Sequence, residues 1–68
     1  MISRGIYNIL RDYIYHIESQ CEEIEKYVVD KEADKMKTRL SDLHYPKHSI
    51  DQAVREFYRY FGLYYDKV

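Results

Sequence analysis

The sequence of 68 residues contains one cysteine, one proline, two glycines and no tryptophan. With Cys21 as its single thiol, the chain can form no internal disulfide, which is more typical of a reducing compartment than of secretion. It lacks an apolar run near the roughly 20 residues that a membrane-spanning helix needs, and no signal peptide is visible. We therefore predict a cytoplasmic protein without a membrane partner.

Motifs for catalysis, cofactors and metals are also missing. The two glycines are too far apart to form a phosphate-binding loop. His44 and His48 flank Pro46 instead of sharing a helical face, and zinc sites space their ligands differently. Cys21 lies on an apolar stripe, where a thiol is usually inert, so the nearby His16 does not make it a nucleophile. We expect no enzyme activity, no cofactor and no metal.

Tyrosine is frequent in this short chain, with nine residues. A chain of this length buries only about 60% of its unfolded surface, and without disulfides or a metal it gains stability most readily by association. Tyrosine is enriched at interfaces, although the codon usage of an AT-rich genome would also raise its frequency. We predict a single domain over residues 1–68 that associates with itself or with another protein.

Apolar periodicity predicts an all-α fold that begins with a long helix over residues 3–28, for which Ser3 is the candidate N-cap. Steps of three and four residues place six side chains on one face of this helix: Leu10, Ile14, Ile17, Cys21, Ile24 and Val28. A further set widens the apolar arc at the start of the helix to about 160°: Ile2, Ile6, Ile9 and Tyr13. Packing against one neighbouring helix requires a narrower apolar arc than this, so we predict a homodimer formed through this second set.

A second apolar stripe follows directly, and its face is rotated by about 100° from the first. Its members are Val29, Ala33, Met36, Leu40 and Leu43. The change of face predicts a break near residues 28–30, with Asp30 capping a shorter helix over 31–42. The alternative is one continuous helix of about 40 residues whose second half packs on a different neighbour.

Residues 43–48 are the clearest connection, because Pro46 disfavours helical geometry at the residue before it. Ser49 and Gln52 have the spacing of a capping box, which predicts a last helix over 49–65. We expect this helix to fold back antiparallel across the first stripe, giving a helical hairpin or three-helix domain.

Gly62 leaves two interpretations of how the last helix ends. The apolar spacing continues to Val68, which slightly favours a glycine inside the helix. Alternatively, Gly62 is the residue that ends the helix, with Leu63 folding back as the hydrophobic contact.

For function, we predict a small regulator that acts by binding another protein, as an inhibitor or an adaptor. Aromatic side chains on faces that the fold does not use, together with an acidic ridge, are the candidate contacts: Tyr15, Glu18, Glu22, Glu25, Tyr45 and Tyr58. The size, the tyrosine content and the lack of catalytic motifs resemble those of small accessory proteins of bacteriophages and mobile elements. We expect such a protein to cover a basic or apolar site on its target.

The alternative function is a DNA-binding transcriptional regulator that uses a basic region around the second helix. The residues concerned are Lys35, Lys37, Arg39 and Lys47. The net charge is −1, but the charges are unevenly distributed. Residues 1–34 carry eight acidic and four basic side chains, whereas residues 35–68 carry four acidic and seven basic side chains. Against this alternative, the connection over 43–48 is longer than a helix-turn-helix uses, and the basic charge is moderate.

Overall fold

The computed structural model describes residues 3–63, which form three helices: α1 (Arg4–Gln20), α2 (Lys26–Asp42) and α3 (Lys47–Tyr60). No strand occurs between residues 3 and 63, so the prediction of an all-α, three-helix fold is confirmed for this part of the chain. Ser3 caps α1 as predicted, because its Oγ accepts a hydrogen bond of 3.3 Å from the N–H of Ile6.

The break between the first two helices lies at residues 21–25, not at 28–30. The predicted boundaries of the helices over 3–28 and 31–42 are therefore wrong. The alternative of one continuous helix is also wrong, because α1 and α2 are separate helices. Cys21 is the C-cap of α1 and has an extended backbone conformation. The connection that follows it contains three exposed glutamates, whose charged side chains stay in water.

Because of the earlier break, the first residue of the second apolar stripe lies inside α2. Val29 is completely buried, and α2 begins three residues before it, at Lys26. Asp30, predicted as a cap, lies inside α2 and accepts a hydrogen bond from Tyr58 of α3. The residue at the N-cap position of α2 is Glu25, which makes no side-chain capping hydrogen bond.

The core combines one apolar stripe from each helix. From α2 it contains four of the five predicted residues: Val29, Ala33, Met36 and Leu40. From the other helices it contains Ile6, Leu10, Ile17, Ala53, Val54, Phe57 and Tyr58. The fifth predicted residue, Leu43, is 49% exposed, because α2 has ended and the chain is turning at this point.

α3 runs parallel to α1 and antiparallel to α2. The C-terminal ends of α1 and α3 meet where the Tyr60 hydroxyl donates to Oε2 of Glu18 at 2.8 Å. At the other end of the molecule, a Cβ atom added to Gly5 would lie 2.6 Å from the hydroxyl of Tyr45, just before α3. The prediction that the last helix runs antiparallel to the first is wrong, because a full-length α2 makes the chain reverse direction twice.

The turn between α2 and α3 is a Schellman motif formed around a residue that is not glycine. His44 has a φ of 65°, in the left-handed region. Its N–H donates to the carbonyl of Ser41 at 2.9 Å, and the N–H of Tyr45 donates to the carbonyl of Leu40 at 3.2 Å. These two bonds satisfy carbonyl groups at the end of α2 that have no partner within the helix.

α3 begins at Lys47, two residues before the predicted start at Ser49. Pro46 is the N-cap, with φ −67° and ψ 153°, and its ring holds φ near the required value. Ser49 lies within the first turn, where its N–H donates to the carbonyl of Pro46 at 3.0 Å. The predicted capping box between Ser49 and Gln52 is therefore not formed.

α3 ends at Tyr60 in a second Schellman motif. Gly62 has a φ of 71°, and its N–H donates to the backbone carbonyl of Arg59 at 3.0 Å. The N–H of Leu63 donates to the backbone carbonyl of Tyr58 at 2.9 Å. The interpretation of Gly62 as the residue that ends the helix is confirmed, and the predicted helix over 49–65 is too long. The predicted contacts of residues 64–68 lie outside the described residues.

Candidate protein-binding surface

Four of the predicted partner-binding residues lie toward the end of the molecule where α1 ends. Tyr15 is on α1 and is 73% exposed. Glu18 is on the same helix, one turn later, whereas Glu22 and Glu25 lie in and at the end of the connection to α2. The predicted acidic ridge on one helix face is therefore not formed, because α1 ends before Glu22.

Tyr58 does not lie on a face that the fold leaves unused. Its side chain is only 7% exposed and belongs to the core. Its hydroxyl donates to Oδ1 of Asp30, and this hydrogen bond is the main reason why the pKa of Asp30 is lowered, against the opposing effect of burial. The sequence interpretation of Tyr58 as an exposed anchor is corrected, because α3 turns this residue toward α2.

Tyr45 is half-buried and packs against the core. Its hydroxyl is close to the backbone of Gly5 at the start of α1, where only a residue without Cβ fits without movement. We therefore assign Tyr45 to the packing of α1 on the α2–α3 turn, which is a different position from the exposed one expected from the sequence.

The residues predicted to form a dimer mostly pack within one chain. Ile6 is 2% exposed and belongs to the core. Ile9 and Tyr13 are half-buried against the same core, and Ile2 lies outside the described residues. The wide apolar arc at the start of α1 is explained by two neighbours from its own chain, since α1 contacts both α2 and α3.

An open groove of about 300 Å³ lies between α1 and α3. We call it the aromatic groove and define it by Tyr7, Leu10 and Ile14 of α1 and by Glu56, Arg59 and Tyr60 of α3. Its two tyrosines are about half exposed to solvent: the exposed fraction is 52% for Tyr7 and 56% for Tyr60. Leu10 is buried and Ile14 half-buried, so they form an apolar floor between the two rings.

Charged side chains accompany the aromatic groove along α1. The guanidinium carbon of Arg11 lies 6.0 Å from the ring centroid of Tyr7, at the outer limit for a cation–π contact. At the other end, Glu18 accepts the hydrogen bond from Tyr60, and this bond raises the pKa of the Tyr60 hydroxyl. Tyr15 lies one turn from each of these charges on the same helix.

The sequence interpretation missed Tyr7 and Tyr60 as surface residues. Neither residue belongs to the candidate contacts that the sequence indicates, although both are exposed. One signal was present, because Tyr7 lies seven residues before Ile14 and therefore at the edge of the first apolar stripe. The groove itself depends on α3 packing beside α1, which periodicity does not predict.

The basic residues of the alternative function are divided between two sides of α2. Lys35 lies 3.4 Å from Glu32, and Lys37 lies 3.8 Å from Asp34. Residues that are two positions apart in a helix point in directions that differ by about 200°, so Lys35 and Lys37 lie on different sides of α2. Arg39 lies one turn after Lys35 on the same side of α2, and residues 43–46 connect the end of this helix to Lys47 at the start of α3.

A second cleft, of about 310 Å³, lies between α1 and α2. Its lining is polar and mostly titratable: Asp12, Tyr13, His16, Glu32 and Lys35. Glu32 is 8% exposed and forms an ion pair with Lys35 across one turn of α2. Among residues 3–63, no three histidine, cysteine or carboxylate side chains are arranged to hold a metal ion.

Within the described part of the chain, every helix is too short or too polar to cross a membrane. No model of a known protein family matches the sequence, and neither the curated proteins nor the solved structures contain a match to this chain.

Proposed function

We propose that this chain is a small regulator that binds another protein through the aromatic groove. The observation that carries the proposal is the exposure of Tyr7 and Tyr60 on either side of the apolar floor of Leu10 and Ile14. Tyrosine offers a large contact area with few rotatable bonds, and it commonly anchors interfaces. A ring that is half exposed beside an apolar floor gains further burial only when a partner covers it.

The shape and charge of the groove favour an amphipathic helix as the bound segment. Grooves between helices accept apolar side chains spaced by three, four and seven residues. Arg11 stands near one end of the groove and Glu18 near the other. A target helix with an acidic residue toward Arg11 and a basic residue toward Glu18 would complement both charges.

The mechanism that we propose is occlusion. The regulator would cover an apolar helix that its target needs for another contact, and this would make it an inhibitor or, with two partners, an adaptor. We retain four of the contacts proposed from the sequence and add two tyrosines of the groove. The proposed contacts with the target are Tyr15, Glu18, Glu22, Glu25, Tyr7 and Tyr60. A cytoplasmic location and a phage or mobile-element origin also remain predictions.

Photo-crosslinking from a defined residue tests this proposal. A photoreactive phenylalanine analogue at Tyr7, which lines the groove and is 52% exposed, should join the chain to one protein in a nuclease-treated lysate of the native host. The same analogue at Tyr27 should not, although Tyr27 is also 69% exposed, because it lies on α2 outside the groove. Equal crosslinking from both positions would contradict the assignment of the groove.

Affinity measurements with the identified protein complete the test. Replacing both Tyr7 and Tyr60 by alanine should weaken binding by about tenfold or more, whereas Tyr27→Ala should have little effect. If the captured material is nucleic acid, and if Lys35→Ala and Lys37→Ala weaken its binding in a salt-dependent manner, the DNA-binding alternative replaces this proposal.

A further inference from the structure

The charges along α1 are arranged unevenly. Arg4 and Arg11 lie in its first two and a half turns, Glu18 lies in its last turn, and Glu22 and Glu25 follow in the connection. The side chains of Tyr7, Arg11, Ile14 and Glu18 succeed one another in steps of four, three and four residues, so they form one face beside the aromatic groove. This face is basic at one end and acidic at the other.

A face of this kind is complementary to itself when it is turned around. If two copies of α1 lie antiparallel, with a two-fold axis between residues 14 and 15, Arg11 stands opposite Glu18 of the partner subunit. A parallel alignment would instead place each of these charges beside the same charge of the partner subunit. An interface around a two-fold axis requires such self-complementarity, because one surface contacts a second copy of itself.

We propose that a second copy of this chain covers the aromatic groove, with the two α1 helices antiparallel and each Arg11 paired with Glu18 of the partner subunit. Tyr15 and Ile14 lie at the two-fold axis, in the centre of the contact, where the energy of an interface concentrates. Tyr7 and Tyr60 close the contact on either side. This dimer differs from the one expected from the sequence, since it uses no residue of the set Ile2, Ile6, Ile9 and Tyr13.

The inference rests on the proposed function in one respect, because the dimer occupies the surface assigned to the target. Self-association would then regulate target binding by mass action. The monomer binds the target, whereas in the dimer the groove is covered by the second copy and cannot bind. A target would have to displace the second copy, so target binding should convert dimers into one-to-one complexes.

Charge reversal tests the antiparallel pairing. Arg11→Glu alone and Glu18→Arg alone should each raise the dimer dissociation constant by about tenfold or more, because each places like charges together at two points. The double variant R11E/E18R should return to the wild-type dissociation constant, since the pairing is restored with its sign exchanged. An equimolar mixture of the two single variants should form a heterodimer, in which all four charges are paired. Sedimentation velocity measures all of these species.

Two controls separate the interface from the fold. Arg55→Glu reverses an exposed charge on α3 outside the aromatic groove and should leave dimerisation unchanged. Tyr60→Phe removes the hydrogen bond to Glu18 without changing any charge, so it identifies the part of the E18R effect that comes from losing this bond. Circular dichroism should give the same helix content for all variants.

The dimer inference is overturned if the wild-type chain is a monomer at about 100 µM, a concentration that populates even weak dimers. It is also overturned if the single variants dimerise like the wild type, or if neither the mixture nor the double variant restores the dimer. The proposed function fails separately, if Y7A/Y60A binds the identified target as tightly as the wild type at concentrations where both are monomeric. The two results are independent because one measures self-association and the other measures target binding.

Discussion

The hydroxyl of Tyr58 donates a hydrogen bond to the carboxylate of Asp30, 28 residues earlier in the chain. The bond joins the last turns of α3 to the first turns of α2. Lys26 lies one helical turn before Asp30 and forms an ion pair with it at 3.3 Å. The hydrogen bond and this charge both lower the pKa of Asp30, and the hydrogen bond has the larger effect.

Tyr58→Phe should remove the hydrogen bond while keeping the buried ring. We expect the free energy of unfolding at neutral pH to fall by about 1 kcal/mol, since the Asp30 side chain is 44% exposed and water weakens the interaction. The pKa of Asp30 should rise in this variant. Nuclear magnetic resonance titration of the Asp30 carboxyl and chemical denaturation measure the two effects, with Tyr27→Phe as an exposed control.

The pH dependence of this effect has a defined sign. The pKa of Asp30 is lower in the folded than in the unfolded chain, so its contribution is complete above the unfolded pKa. It is lost as the pH falls through the lower folded pKa. The stability difference between the wild type and Tyr58→Phe should therefore shrink in acid; a difference that stays constant below about pH 3 would argue against the charged hydrogen bond.

Gly5 and Tyr45 should show coupled effects on stability. In the wild type, Gly5→Ala places a Cβ at 2.6 Å from the Tyr45 hydroxyl, and the side-chain movement offsets the gain in helix propensity, which at the second residue of α1 is smaller than the value of about 1 kcal/mol in a helix interior. In a Tyr45→Phe background, the nearest remaining atom is 3.9 Å away, so Gly5→Ala should stabilise the fold. Chemical denaturation of the four proteins gives the coupling energy, and equal effects in both backgrounds would contradict the close approach.

The two Schellman motifs predict substitutions of opposite sign. Gly62→Ala should destabilise the fold by about 1 kcal/mol, because an L-residue is strained in the left-handed region and no other atom lies near the new Cβ. His44→Gly should stabilise it by a similar amount, since His44 has the same backbone conformation with a side chain. Thermal unfolding of both variants tests the pair, and shifts of the same sign would exclude this explanation.

Leu40 and Leu43 test the boundary of the buried stripe of α2. Leu40 is completely buried and Leu43 is 49% exposed, although both continue the same apolar pattern. Leu40→Ala should lower the free energy of unfolding by about 2–5 kcal/mol through the cavity it leaves, which is enough to unfold much of so small a domain. Leu43→Ala should cost about 0.5 kcal/mol. Comparable losses would mean that α2 continues further than Asp42.

The buried helix faces were predictable because burial follows the period of the helix. The residues from Val29 to Leu40 that share one face are all in the core, and Leu10 and Ile17 of the first stripe are buried as predicted. The break at residues 21–25 was not predictable in the same way, since this connection contains neither glycine nor proline. It is visible only in the packed structure, in which α2 begins three residues before the buried Val29.

The candidate binding surface was predictable only in part. Tyr15 is exposed as the sequence pattern indicated, whereas Tyr58 is buried. Both are tyrosines on amphipathic helices, and what separates them is the position of a neighbouring helix. The same reason explains why Tyr7 and Tyr60 were missed, since they border one groove only because α3 packs beside α1.

The parallel arrangement of α1 and α3 makes the molecule electrically polar. Both helices direct the partial negative charge of their C-terminal carbonyl groups to one end, and the same end carries the three glutamates of the connection to α2. The N-terminus of α2, Lys26 in its first turn and Arg59 in the last turn of α3 offset part of that charge. An approaching macromolecule therefore meets an oriented field before any contact forms, and cationic surfaces should arrive at this end faster than neutral ones.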